Sequence, residues 1–60
     1  MTVDIKFKQD SPFKAGQEEH FKDVKEVHFN YNGSGRVAFE SEDTGCTYDI
    51  NWLEEFEVTN

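Results

Sequence analysis

Two histidines, one cysteine and thirteen carboxylates are the groups through which this chain could do chemistry. A structural zinc site takes four Cys or His ligands, commonly in closely spaced Cys or His pairs. His20, His28 and Cys46 fall short in number, and neither a Cys-x-x-Cys nor a His-x₃₋₅-His spacing occurs. Nucleophilic catalysis needs a thiol or hydroxyl beside a base. Cys46 lies on the inward side of an alternating segment, where a free cysteine packs as a small hydrophobe. Gly33-Ser34-Gly35 is a lone Gly-x-Gly among turn residues, not the strand-to-helix turn that cradles phosphate. Paired carboxylates could support acid–base work, but an active site also needs a concave pocket. A chain of 60 residues buries only about 60% of its unfolded surface, so its interior is needed for its own core. The expectation is one domain spanning residues 1–60, not an enzyme, with no metal and no cofactor.

Charge is the more informative signal. The chain carries a formal net charge of −7. Residues 1–36 hold six basic and six acidic side chains, whereas residues 37–60 hold seven acids and neither Lys nor Arg. Those seven are Glu40, Glu42, Asp43, Asp49, Glu54, Glu55 and Glu57. Alternation sends Glu40, Asp49, Glu55 and Glu57 outward from segments whose Val37, Phe39, Ile50, Phe56 and Val58 point inward. Carboxylates two residues apart on a strand stand roughly 6.8 Å apart, close to two phosphate steps of about 3.4 Å along one DNA strand. Direct nucleic-acid binding is disfavoured, because phosphate affinity comes from clustered Lys and Arg and the basic residues here are diluted by acid.

The elements that must position these groups are mostly strands. Thr2 to Lys8 sets Val3, Ile5 and Phe7 on one face and polar residues on the other. Residues 9–19 contain the single proline and a glycine and read as a long loop, with Phe13 as a candidate anchor. Residues 18–31 are ambiguous between a helix and strands. Alternation of Val27, Phe29 and Tyr31 with Glu26, His28 and Asn30 favours strand. Asn32-Gly33-Ser34-Gly35 reads as a hairpin loop and Glu42-Asp43-Thr44-Gly45 as a second turn. Strands are expected at 36–41, 46–50 with Cys46, Tyr48 and Ile50 inward, and 55–59. Between the last two, Asn51–Glu54 reads as a 3₁₀ turn with Asn51 as its cap.

That order predicts an all-β fold, a small five-stranded SH3-like barrel with one 3₁₀ turn before the last strand. Closure would remove the exposed edges of an open sheet. The alternative is α+β, with one helix at 17–26 on an antiparallel sheet. In the barrel the first and last strands pair, so Lys6 and Lys8 could stand across from Glu55 and Glu57.

The longest uninterrupted apolar runs are two residues, so no membrane span is expected. Met1 leads into Thr-Val-Asp-Ile-Lys without the apolar segment of a signal peptide, and Cys46 has no disulfide partner. A cytoplasmic location fits both.

From Val24 to Val58 the chain (Val-Lys-Glu-Val-His-Phe, Val-Ala-Phe-Glu-Ser, Tyr-Asp-Ile-Asn-Trp-Leu-Glu-Glu-Phe-Glu-Val) resembles short uncharacterised proteins of phages and prophages in Gram-positive bacteria. The resemblance implies a phage protein in the host cytoplasm acting on a host or defence protein, and it carries over no site residue. Two functions fit. One is a non-catalytic acidic interaction module, a phage inhibitor occupying a basic nucleic-acid-binding surface, monomeric or a weak homodimer. Glu40, Glu42, Asp43, Asp49, Glu54, Glu55 and Glu57 would supply its field and Phe13 its anchor. The other is a structural or assembly protein of a phage particle, with an acidic face that only keeps it soluble.

Overall fold

Thr2–Phe7 forms the first strand, β1, because its alternation gives one face entirely to Val3, Ile5 and Phe7. In the computed structural model, which describes residues 1–60, these three are at most 1% exposed. The remaining strands are β2 (Glu18–Phe21), β3 (Val24–His28), β4 (Arg36–Ser41), β5 (Thr44–Asp49) and β6 (Leu53–Thr59). Short 3₁₀ turns at Tyr31–Gly33 and Ile50–Trp52 complete the chain. The all-β expectation holds, and the helix at 17–26 does not form: β2 and β3 occupy that segment. Its Phe21, Val24 and Val27 have helical spacing, but β1 recruits the first half into its own sheet, pairing Val3 with Phe21 and Ile5 with Glu19.

There are two antiparallel three-stranded sheets, ordered β2-β1-β6 and β3-β4-β5. Six strands replace the five of the expected barrel, because Glu18–Phe21 pairs with β1 as a strand of its own, and Lys22-Asp23, Asp23 at a φ of 54°, turn the chain from it into β3. No ladder of strand pairs joins the sheets into one cylinder. They meet where Met1 and Val24 bond, Val24 N–H donating to the Met1 carbonyl at 2.8 Å and the terminal amine to the Val24 carbonyl at 3.2 Å. Buried Ser41 pins the same corner by donating to the Lys22 carbonyl at 2.7 Å.

Val3, Ile5, Phe7, Val24 and Phe39 form the core, ringed by half-buried Phe21, Tyr48, Trp52, Leu53 and Phe56. Burying each large apolar side chain contributes roughly 1.5–3 kcal/mol. The rings meet edge to face, Phe7 on Tyr48 at 5.5 Å and Phe21 on Phe39 at 5.0 Å, the geometry that aromatic quadrupoles favour.

Several inward assignments are corrected. Along β3, Lys25 faces Glu40 and His28 faces Ala38, a bulge centred on Glu26 at a φ of 36°. Beyond it the strand stops at His28, and Asn30 and Asn32, both at positive φ, turn the chain away. Val27 is therefore half-buried, while Phe29 and Tyr31 lie exposed. Ile50 is also exposed, because it opens the second 3₁₀ turn instead of ending β5. That turn spans Ile50–Trp52, not 51–54, and its cap is Asp49, whose carboxylate accepts from Asn51 N–H at 2.8 Å. Val58 reaches the outer edge of its sheet and is 40% exposed. Thr44 and Gly45 belong to β5, so the hairpin turn is only Glu42-Asp43.

Candidate protein-interaction surface

The seven carboxylates of the C-terminal half do not form one face. Glu40, Glu42 and Asp43 lie at one end of the β4–β5 hairpin, on the sheet β3-β4-β5. Glu54, Glu55 and Glu57 lie on β6, in the other sheet. Asp49 is half-buried and spends its carboxylate on the 3₁₀ turn.

The β6 group gains acids from the half of the sequence whose charges cancel. Register sets Asp4 of β1 directly across from Glu57, and Lys6 across from Glu55. Of the expected pairing of Lys6 and Lys8 with Glu55 and Glu57, only Lys6 faces one of these glutamates; Glu57 faces the like-charged Asp4. Lys8 lies past the end of β1, where its N–H donates to the Trp52 carbonyl at 2.8 Å. Lys6 reaches the neighbouring Glu54 at 3.3 Å, and that hydrogen-bonded carboxylate raises the lysine's pKa. On the other side of β1, His20 of β2 meets Asp4 at 2.7 Å. Its pKa is raised above the ordinary 6.5, first by the hydrogen bond to Asp4. A shallow cleft of about 180 Å³ between these side chains is bordered by Asp4, Lys6, Glu18, His20, Glu55 and Glu57. Sequence order concealed this cluster, because Asp4 and Glu18 join Glu55 and Glu57 only through strand register.

The hairpin group has a different character. Glu42 and Asp43 occupy a two-residue turn with φ of 50° and 65°, and Lys25 of β3 approaches Asp43 at 3.8 Å. Beside the turn, the outer face of β3-β4-β5 carries a groove of about 700 Å³. Lys25, Glu26, His28 and Tyr31 line it from β3 and the turn that follows, and Ala38, Glu40, Gly45 and Thr47 line it from β4 and β5, where small Ala38 and Gly45 leave its floor bare.

Phe13 is held by Ser11, whose hydroxyl accepts from Phe13 N–H at 3.1 Å and donates to Phe13 C=O at 2.6 Å. The ring remains 40% exposed while packing edge-on to Phe7 at 5.7 Å and near Trp52 at 6.0 Å. The loop around it is closed by Gly16 N–H to the Lys8 carbonyl and Phe7 N–H to the Gln17 carbonyl.

No three His, Cys, Asp or Glu side chains are grouped to hold a metal ion. Cys46 is half-buried and its thiol pKa is pushed up by that burial, as is the Tyr48 hydroxyl. No helix is long and apolar enough to cross a membrane. Compared with known proteins, the chain matches no family model, and neither a curated protein nor a solved structure is significantly similar to it.

Proposed function

We propose that this protein is a non-catalytic acidic interaction module that docks on a basic surface of another protein. The observation that carries this reading is the β4–β5 turn. Two-residue hairpin turns with positive φ at both positions favour Asn-Gly, since a side chain in the left-handed region costs roughly 1–2 kcal/mol per residue. This chain places Glu42 and Asp43 there, two carboxylates held at a conformational cost that solubility does not require. Asp4 across from Glu57 points the same way, because like charges directly opposed destabilise a strand pair. Opposite charge on a partner would offset both costs and speed encounter at low salt. Phe13 offers the desolvated anchor that charge alone does not supply.

In finer detail, the resemblance to phage proteins supports an inhibitor in the host cytoplasm, occupying the nucleic-acid groove of a host or defence enzyme. For the fold, the finer reading is an SH3-like barrel. Counting β2 and β3 as one strand broken at Lys22-Asp23, and the 3₁₀ turn ahead of β6, both support it.

Affinity capture from a bacterial lysate with mass spectrometry identifies the partner. Binding is then measured against salt for Glu40→Gln/Glu42→Gln/Asp43→Asn and, separately, Glu55→Gln/Glu57→Gln. Weaker binding with a flatter salt slope supports the reading. Unchanged affinity and slope in both variants reduce the acidic faces to solvated surface, and recovery only in phage particles replaces the inhibitor with a virion component.

A further inference from the structure

Gly45 has no conformational reason to be glycine. It lies within β5, outside the positive-φ positions, and a Cβ built on it would meet no atom within 4 Å. A glycine inside a strand gives up roughly 0.5–1 kcal/mol, and such glycines mark places where a ligand or another backbone comes close. The direct cross-strand partner of Gly45 is Glu40, so the missing side chain leaves the Glu40 carboxylate uncovered at the floor of the large groove. Ala38, also small, continues that floor.

The groove's chemistry narrows what can enter. Lys25 stands opposite Glu40 in register but turns its ammonium toward Asp43, at 3.8 Å. Glu40 has no ion-pair partner within 4.0 Å. Tyr31, 47% exposed, lines the same groove, with its ring 5.9 Å from that of His28. An unpaired carboxylate sharing one groove with an exposed tyrosine suits a guanidinium, which binds carboxylates through two parallel hydrogen bonds and stacks on aromatic rings. An ammonium pairs with a carboxylate only as a point charge and lacks the planar fork and the flat stacking face. The volume of about 700 Å³ admits the side chain together with its flanking backbone, within the usual range for ligand clefts.

We infer that this groove seats an arginine side chain of the basic partner, its guanidinium on Glu40 and against Tyr31. The inference rests on the basic-partner reading and narrows it to one residue type at one place.

The test titrates isotope-labelled protein with hexa-arginine and with hexalysine peptides, following backbone amides by NMR. Hexa-arginine should shift Ala38, Glu40, Gly45 and Thr47 and bind there about tenfold more tightly than hexalysine. Glu40→Gln should lower that affinity about tenfold, and Tyr31→Ala should lower it several-fold. Gly45→Val fills the floor in open space, so the fold should persist in the amide spectrum while the arginine preference disappears. Equal affinity of wild type and Glu40→Gln overturns the inference. So do shifts confined to Asp4, Glu55 and Glu57, an outcome that leaves the basic-partner reading standing. No shift with either peptide overturns the groove and removes support for that reading too.

Discussion

β1 and β6 are hydrogen-bonded neighbours with the same alternating pattern, yet they do different work. Val3, Ile5 and Phe7 are sealed in the core, whereas across the same ladder Phe56 is half-buried and Val58 is 40% exposed. The cause is position. β1 has a strand on each side, while β6 ends its sheet. Alternation in a sequence identifies which face turns inward; the number of flanking strands decides how deeply that face is covered. The periphery is thereby free to carry charge. The Glu residues of β6 and the Glu42-Asp43 turn both lie there, at positions where side chains can serve something other than stability.

Truncation is the sharpest way to break this contrast. Phe7→Ala should cost about 3–5 kcal/mol, as much as the roughly 3–5 kcal/mol that a core of this size supplies. No cooperative thermal transition should remain in far-UV circular dichroism. Val58→Ala on the adjacent strand should cost less, about 1 kcal/mol, since Val58 keeps 40% of its exposure in the fold. Comparable losses for the two would show that β6 is as deeply covered as β1.

The turn gives an effect of intermediate size and opposite sign. Glu42→Asn with Asp43→Gly supplies the residues that positive φ favours, and should raise stability by about 1 kcal/mol. For a domain this small that corresponds to a rise in Tm of about 4–8 °C. The same double variant should bind a basic partner more weakly. A lower Tm would mean that the carboxylates contribute to folding at the tip.

The smallest effect belongs to the outer face where β2, β1 and β6 meet. His20 is exposed, and its pKa is raised by the hydrogen bond to Asp4. A group with a raised folded-state pKa stabilises fully below its unfolded value, here near 6.5, and that contribution is lost as pH rises through the folded value. Tm should therefore fall slightly across that window, and His20→Gln should flatten the decline. An identical pH profile in the variant would show that the Asp4 contact has no energetic consequence.

The sequence itself showed where the strands run wherever alternation is unbroken. Thr2–Phe7 and Arg36–Ser41 sit where periodicity puts them, with Val3, Ile5, Phe7, Val37 and Phe39 buried as expected. The acidic residues Glu40, Glu55 and Glu57 are exposed on the faces that parity assigned. Periodicity failed where backbone geometry changes within a strand. The bulge at Glu26 and the end of β3 at His28 left Phe29 and Tyr31 exposed. A bulge is set by strand pairing, and the local residues Lys25-Glu26-Val27 carry no glycine to announce it. Asn51 and Asp49 are both good caps; the hydrogen bond selects Asp49 because the turn begins at Ile50.

Composition and alternation by themselves pointed to strands along most of the chain and turned Glu40, Glu55 and Glu57 outward, because both follow from local rules about which side of a strand meets water; the helix alternative at 17–26 was removed only by the pairing of β2 with β1. Only the tertiary structure decided which acids are neighbours. Asp4 and Glu57 are far apart in the chain and directly opposed in space, and the glycine that read as part of a turn became the bare floor beside Glu40. Register and sheet order bring such pairs together, and both arise from long-range pairing between strands that no local pattern encodes.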